Sequence, residues 1–460
     1  MSYAINNYRS KKFGNKYFIT TDHGSYCVLD EDEFKKLKEN NIKDPLLYTK
    51  LEECEIILNP SNINEAIRLT ENRYWFLYQG TSLHIVIPTL RCNMNCIYCH
   101  ASAKPANQKN QTQNYDMDQE TAKKVVDFIF QSLSPCITIE FQGGEPLLNW
   151  DIVKFITEYA YEKNKEAKKD LQVTIVTNLS EMTDGKMNYI IDNNISICTS
   201  FDGPKEVHDY NRRFFQGSNY KDVVYWIKRF NEEYKKRNIN SHKVNALITI
   251  TRKSLKYPKE IIDEYVKLGI NDLHIRFLNE LGVARTALKD IGYSAEEFYN
   301  FWEKCANYIE KLKSEGINIR ERMVELMLNK IISEHDPNYL DLRSPCGAAI
   351  GQLTYNYNGN IYTCDEARML NDDLFMLGNV HKDNYKDIVT CDKACAVTSA
   401  SINDQYICDN CVYKPYCGVC PVCNYAEQGT VIAKISETNR CKIYMKQFDW
   451  VVKQKIINTK

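Results

Sequence analysis

Between residues 83 and 280 the chain alternates short apolar runs with longer amphipathic stretches. The runs at 83–88, 137–141, 173–177, 195–200, 244–250 and 273–277 are apolar and β-branched throughout rather than at every second position. That is the pattern of strands buried on both faces. Between them, apolar residues recur at helical spacing over 119–131, 151–163, 186–193, 220–237 and 257–268. Strand, helix and strand at this interval predict parallel pairing with right-handed crossovers. Six such units predict an α/β fold, a partial (β/α)6 barrel. In such barrels the active site lies at the C-terminal ends of the strands, so the residues following each run are the candidates for chemistry.

The flanks read differently. Residues 1–80 form a small α+β module. Strands at 16–20 and 25–29 surround the Asp22-His23-Gly24 turn signal, and Asp30 caps a charged helix at 31–39. Further helical turns fall near 45–53 and 62–70. This order fits a winged-helix-like peptide-binding element, and equally a structural extension packed on the barrel. The barrel unit is taken as 81–282. Residues 283–340 read as a helical bridge, with helices at 295–314 and 320–333. From 341 to 445 the chain is cysteine-rich and carries a hairpin at 352–362 with Asn358-Gly359 at its turn; 446–460 is a tail.

Charge and cysteine content narrow the function. Lys and Arg total 59 against 60 Asp and Glu, a net charge of -1, so neither nucleic acid nor an anionic membrane is expected as the main partner. The first residues lack an apolar signal region and no run is long enough to span a membrane, which predicts a cytoplasmic protein. There are 18 cysteines; in that compartment, metal binding is favoured over disulfides. Cys27, Cys54, Cys136, Cys198 and Cys305 are scattered, while the others fall at 92–99 and 346–441.

Directly after the first run comes Arg91-Cys92-Asn93-Met94-Asn95-Cys96-Ile97-Tyr98-Cys99-His100. Three thiolates at this spacing can hold three irons of a [4Fe–4S] cluster and leave the fourth open to a small molecule. With His100 as fourth ligand, zinc is the alternative. Other strand ends carry Gly143-Gly144-Glu145-Pro146, Thr177-Asn178, Ser200-Phe201-Asp202-Gly203, Arg212-Arg213, and Arg276 with Asn279. Paired glycines allow close backbone approach to a ligand, Glu145 can accept from an ammonium, and the arginines can pair with a carboxylate. Each could instead serve an ordinary turn or cap.

The Cys92-x3-Cys96-x2-Cys99 loop, Tyr98 before its last cysteine, and Gly143-Gly144-Glu145-Pro146 after the second strand together resemble the radical S-adenosylmethionine (SAM) superfamily over roughly residues 83–280. The resemblance implies a [4Fe–4S] cluster on the three cysteines, with SAM chelating its open iron. Glu145 would contact the SAM amino group, and Ser200 and Arg212 its ribose and carboxylate. Tyr98, Gly143, Gly144 and Asn178 would complete the cofactor site. The implied chemistry is reductive cleavage of SAM to a 5′-deoxyadenosyl radical that abstracts a substrate hydrogen, with the protein supplying position and shielding. An electron donor such as flavodoxin or ferredoxin is implied as a partner.

The cysteines beyond 341 resemble the SPASM auxiliary-cluster domain of radical SAM peptide-modifying enzymes: Cys346, then Gly359-x4-Cys364, then Cys408-x2-Cys411-x5-Cys417-x2-Cys420, with Cys423 and Cys441. Two auxiliary [4Fe–4S] clusters are implied, the first on Cys346, Cys364 and Cys420 or Cys423, the second on Cys408, Cys411, Cys417 and Cys441. A zinc ribbon on the two Cys-x2-Cys pairs is the alternative. Cys391 and Cys395 are left as free thiols. Asp365, directly after Cys364, is a candidate catalytic base, or simply the ion-pair partner of Arg368. A closer resemblance, carried by 140–148, 177–180, 355–359 and 365–370, is to the radical SAM maturases of the His-Xaa-Ser peptide system. The expected activity is therefore crosslinking of a ribosomally made precursor peptide whose leader is held by the N-terminal module. An anaerobic sulfatase-type maturase oxidising a Cys or Ser is the rival reading, and a non-catalytic zinc scaffold a more distant one.

Overall fold

The structure, a computed structural model, describes residues 3–106, 113–240 and 243–458. Its centre is a ten-stranded sheet. Six of the strands fall on the expected runs: Leu83–Thr89, Cys136–Gly143, Asp170–Thr177, Ser196–Ser200, Asn245–Thr249 and Asp272–Arg276. They lie in chain order, each parallel to the next, as crossovers through the intervening helices require. Those helices, Gln119–Ile129, Trp150–Ala167, Asp184–Asp192, Tyr220–Lys236 and Pro258–Lys267, press Val125, Ile156, Ile190, Ile227 and Ile262 into one core with Ile139, Ile175, Ile197 and Ile248 of the strands. All six C-terminal strand ends therefore open on one rim.

Two extensions of this sheet go beyond what periodicity predicts. The expected helix at 320–333 begins instead with a strand, Arg320–Glu321, parallel to Asp272–Arg276, and turns helical only at Arg322–Ile332. Glu321 does both jobs. Its buried carboxylate accepts from Ile275 N at 3.3 Å and caps the helix by accepting from Val324 N at 2.8 Å. On the other flank, Gln352–Tyr355 pairs parallel with Leu83–Thr89, followed by antiparallel Asn360–Tyr362 and Met376–Asn379. The Asn-Gly hairpin is present, with Gly359 at φ 82°, but it belongs to the barrel sheet rather than to a separate layer. At the far end, helix Asn439–Val451 continues across the boundary expected at 445 and packs on Ala295–Ser314.

The hairpin of the N-terminal module is a three-stranded antiparallel sheet, Tyr8–Phe13, Lys16–Thr21 and Tyr26–Asp30, and Ala4–Ile5 pairs separately with Ile57–Leu58. Tyr8–Phe13 escapes pattern reading because Arg9, Lys11 and Lys12 interrupt its apolar positions, as is common on sheet edges. Two of those cations are used elsewhere in the fold. Lys11 pairs with Asp449 at 2.6 Å and Arg9 Nε donates to the Asp409 carbonyl at 2.5 Å. Helix Glu31–Lys38 starts at Asp30 with a full capping box through Glu33. The module leans on the cysteine-rich segment: Thr20 Oγ1 donates to Val412 O at 2.8 Å, and Tyr416 OH donates to Gly24 O at 2.8 Å.

Helix Ile63–Tyr74 joins this module to the bridge through a buried ionic cluster, in which Asp336 accepts from Arg73 at 3.3 Å and from Lys330. Replacing Asp336 with alanine leaves two buried cations without their carboxylate. We expect a loss of about 3–5 kcal/mol, read as a lower midpoint in anaerobic chemical denaturation; an unchanged midpoint would contradict the role assigned to this cluster.

Candidate active site

The cysteine loop leaves the first strand and folds over the rim. Met94–Cys96 pairs antiparallel with Arg212–Phe214, which sets Arg212 opposite Cys96, with Nη1 4.0 Å from its sulfur. Asp202, at the end of the fourth strand, anchors the arrangement. Its Oδ2 accepts from Tyr98 OH at 2.7 Å and Asn211 Nδ2 at 3.1 Å, and lies 3.3 Å from Arg212 Nε. The Arg212 guanidinium also covers the Tyr98 ring at 5.3 Å. Asp202 had no role in the sequence reading, although it stands inside the Ser200–Gly203 run that drew attention.

The paired glycines also serve a purpose beyond the one expected. Gly144 N donates to Thr89 O at 2.9 Å and Glu145 N donates to Arg91 O at 2.8 Å. A β-carbon on Gly144 would fall 2.1 Å from Arg91 O, and one on Gly143, whose φ is 123°, 2.5 Å from Thr89 O. The glycines thus admit the cysteine loop's own backbone. Gly282 does the same from the other side: its β-carbon would meet His100 O at 2.2 Å, and the next amide, Val283 N, donates to Cys99 O at 2.8 Å.

Glu145 is buried. Its oxygens accept from Thr177 Oγ1 at 2.6 Å, Asn178 N at 2.8 Å and Leu147 N at 3.0 Å, which fixes the carboxylate across the ends of the second and third strands. Burial pushes its pKa up to about 7, against the pull of those donors. Asn178 Nδ2 lies 3.9 Å from Cys92 Sγ and 3.2 Å from Asn93 Oδ1.

These groups enclose a cavity of about 190 Å³ lined by Cys92, Cys96, Cys99, Tyr98, Gly143, Gly144, Glu145, Asn178, Ser200 and Arg212. All the residues expected at the cofactor site from sequence are therefore in one place. The donor set suits a cluster. Burial raises the Cys92 thiol and pushes Cys96 up to about 12, and each feels its neighbouring thiols; bound metal is what makes such thiols ionise. Among the described residues no three His, Cys, Asp or Glu side chains close around a single metal ion; the thiols ring cavities instead.

The later cysteines fall into two sets. Cys408, Cys411, Cys417 and Cys441 line one cavity of about 50 Å³ together with Cys420. Cys346, Cys364 and Cys420 share a small apolar cluster with Leu281, Phe375 and Val422. Cys423 is buried against Cys420, whose sulfur accepts from Cys423 N at 3.4 Å. Cys364 caps helix Asp365–Leu370, its sulfur accepting from Ala367 N at 3.4 Å. That short helix docks just past the cysteine loop: Arg368 Nη1 donates to Ala101 O at 3.3 Å and Ser102 Oγ to Met369 O at 3.5 Å.

A larger chamber of about 600 Å³ lies inside the barrel, lined by Glu140, Cys198, His274, Arg322, Asp341, Asp365 and Glu366. It shares His100, Gln142, Arg276, Asn279 and Met369 with the cavity at the cysteine loop. Asp365 Oδ1 accepts from Arg368 Nε at 2.7 Å, the ion pair weighed from sequence, while Oδ2 has no partner.

A three-thiol loop on the first strand of a parallel partial barrel, closed by a Gly-Gly-Glu turn, defines a class. Residues 86–263 match the model of the Radical SAM superfamily, and the chain carries a radical SAM domain. Such a domain implies a [4Fe–4S] cluster and SAM. Among curated relatives, the radical SAM cyclopropyl synthase TigE of Paramaledivibacter caminithermalis is 23% identical, covering 86% of this chain and 84% of that protein. A cysteine-type anaerobic sulfatase-maturating enzyme of Clostridium perfringens is 22% identical over 78% of this chain and 93% of its own length. Among solved structures, native anSMEcpe with bound AdoMet has a TM-score of 0.67 at 19% identity, covering 82% of this chain and 99% of that one. Streptococcus suis SuiB bound to precursor peptide SuiA has a TM-score of 0.56 at 14% identity, covering 94% and 98%. At these identities the likeness to solved structures is one of fold.

The glycine contacts give a direct expectation. Gly144→Ala forces the loop off the second strand and should lower iron after anaerobic reconstitution by about four atoms per chain, one [4Fe–4S] cluster. Gly185→Ala, where the nearest atom is Thr183 Oγ1 at 3.9 Å, should leave iron unchanged. Equal iron in both variants would contradict the assignment.

Proposed function

We propose that this protein is a radical SAM enzyme that modifies a ribosomally made precursor peptide, abstracting a hydrogen and closing an intramolecular crosslink of thioether, ether or carbon–carbon type. The observation that carries this reading is the barrel chamber, whose lining joins His100, at the end of the cysteine loop, to Asp365 and Glu366, directly after Cys364. A substrate residue in it would stand between the radical source and the first auxiliary site. About 600 Å³ suits a side chain with its flanking backbone.

When bound, the cluster and SAM supply the 5′-deoxyadenosyl radical. The chain's own residues do the rest. Glu145, held by Thr177, Asn178 and Leu147, would take the SAM ammonium, and Ser200 and Arg212 would serve its ribose and carboxylate. Cys346, Cys364 and Cys420 or Cys423 would hold one auxiliary [4Fe–4S] cluster, and Cys408, Cys411, Cys417 and Cys441 a second. Arg368 orients Asp365 so that its free Oδ2 can take the proton released as the crosslink forms, while the electron lost by the substrate radical would pass to the auxiliary cluster. The N-terminal module would hold the leader, and a flavodoxin or ferredoxin would supply electrons in the cytoplasm. SuiB, solved with a precursor peptide, supports a peptide substrate; the sulfatase-maturating relative supports the rival reading.

The test is co-expression with the short reading frame nearest this gene, followed by mass spectrometry of the peptide. A product lighter by a pair of hydrogens, resistant to fragmentation between two residues, is expected. A formylglycine with no crosslink would replace this reading with the sulfatase-type one. Asp365→Asn should lower crosslinked product by about 10²–10⁴-fold while 5′-deoxyadenosine still forms; equal product from both would remove Asp365 from the reaction.

A further inference from the structure

Arg440 occupies an unusual position for an arginine. It lies in the first turn of helix Asn439–Val451 and is buried. Its nearest carboxylate, Asp341, is 4.0 Å away, too far for a strong ion pair. Its Nη2 instead lies 3.2 Å from the sulfur of Cys423, with Asn279 Oδ1 at 3.5 Å and Tyr444 OH within 3.1 Å of Nη1. The guanidinium also sits over the rings of Phe277 and Tyr444, at 5.4 and 5.6 Å. Arginine remains protonated in proteins, and a buried charge needs an anionic partner. A neutral thiol is a weak acceptor; a cluster-bound thiolate is a strong one. The donor set therefore calls for an ionised sulfur at Cys423.

Arg440 also lines the cavity that Cys408, Cys411, Cys417, Cys420 and Cys441 share. The next residue, Cys441, faces the cavity shared with Cys408, Cys411 and Cys417. Arg440 thus stands between the two auxiliary thiol sets and donates to a sulfur in one of them. On its other side it touches Asn279, which lines both the cofactor cavity and the chamber.

We propose that Cys423 ligates the first auxiliary cluster together with Cys346, Cys364 and Cys420, and that Arg440 is a positioning residue that raises this cluster's reduction potential through a buried hydrogen bond to the Cys423 thiolate. This rests on the reading that these thiols hold an iron–sulfur cluster. Hydrogen bonds and positive charge at cluster sulfurs favour the reduced state, and low dielectric strengthens both effects. An asymmetry of degree follows: Arg440 donates to a sulfur of the first set and only lines the cavity of the second, so the second auxiliary cluster should respond less.

The test uses the full chain, reconstituted anaerobically in a Cys92→Ala, Cys96→Ala, Cys99→Ala background, so that only auxiliary clusters contribute to the electron paramagnetic resonance signal. Potentiometric titrations compare this parent with added Arg440→Lys and Arg440→Gln. We expect about eight irons per chain, from two [4Fe–4S] clusters, in all three proteins. One signal should move to lower potential by about 59 mV, a tenfold change in a one-electron equilibrium, in the glutamine variant, and by less in the lysine variant; the other signal should move by less, and equal shifts in both would overturn the bond to Cys423 as the cause. Full iron with neither signal moved would overturn the role of Arg440 and leave the clusters standing. A parent without iron would overturn the cluster reading itself. If the glutamine variant fails to assemble, the lysine variant decides: its potential must still fall. Loss of about one cluster in Cys423→Ala is expected, and full iron there would overturn Cys423 as a ligand.

Discussion

The approach of the Gly143–Gly144–Glu145 backbone to the carbonyls of Thr89 and Arg91 is the constraint on which the site depends. Two short amide hydrogen bonds fix where the cysteine loop leaves the first strand, and they exist because neither glycine carries a β-carbon. From that point the loop has little freedom. Its middle pairs with Arg212–Phe214, and its end is received by Gly282 and Val283. The three thiols are set by backbone contacts from the second, fourth and sixth strand ends, and the same contacts aim Glu145, Asn178 and Arg212 into one cavity. Preorganisation of this kind is what a reactive cofactor requires of its protein.

The cysteine-rich segment is built into the barrel rather than appended to it. Its hairpin extends the central sheet beside the first strand. The helix that follows Cys364 reaches the chain just past the cysteine loop through Arg368 and Met369, and helix Asn439–Val451 packs on the bridge. The N-terminal strands brace the Cys408–Cys417 loop by bonding to its carbonyls. This continuity gives a physical reason for a chamber lined at once by His100, at the end of the cysteine loop, and by the residues after Cys364.

Much of this was legible in the sequence, for reasons that also explain what was not. Doubly buried strands write continuous apolar runs, so all six barrel strands could be located within a few residues. The Cys92–Cys99 spacing and the Gly-Gly-Glu turn are local, so the cofactor cavity could be assembled residue by residue. Three things were hidden. Tyr8–Phe13 is a cationic edge strand whose charges meet Asp22 and Glu31 nearby and Asp449 and the Asp409 carbonyl far along the chain. Arg320–Glu321 merges with the amphipathic helix after it. Asp202, Gly282 and Arg440 act across long separations and carry no motif of their own. The glycines were noticed for ligand approach, but their cause lies in a clash with the loop that only three-dimensional proximity reveals.

The central claim is that the Cys92–Cys96–Cys99 loop carries a cluster that cleaves SAM. The most direct measurement is 5′-deoxyadenosine formation by anaerobically reconstituted protein given SAM and a strong reductant, beside the Cys92→Ala, Cys96→Ala, Cys99→Ala variant. Product from the first and none from the second is the predicted result. Equal product from both, or none from a fully iron-loaded protein even with its peptide present, would contradict the claim.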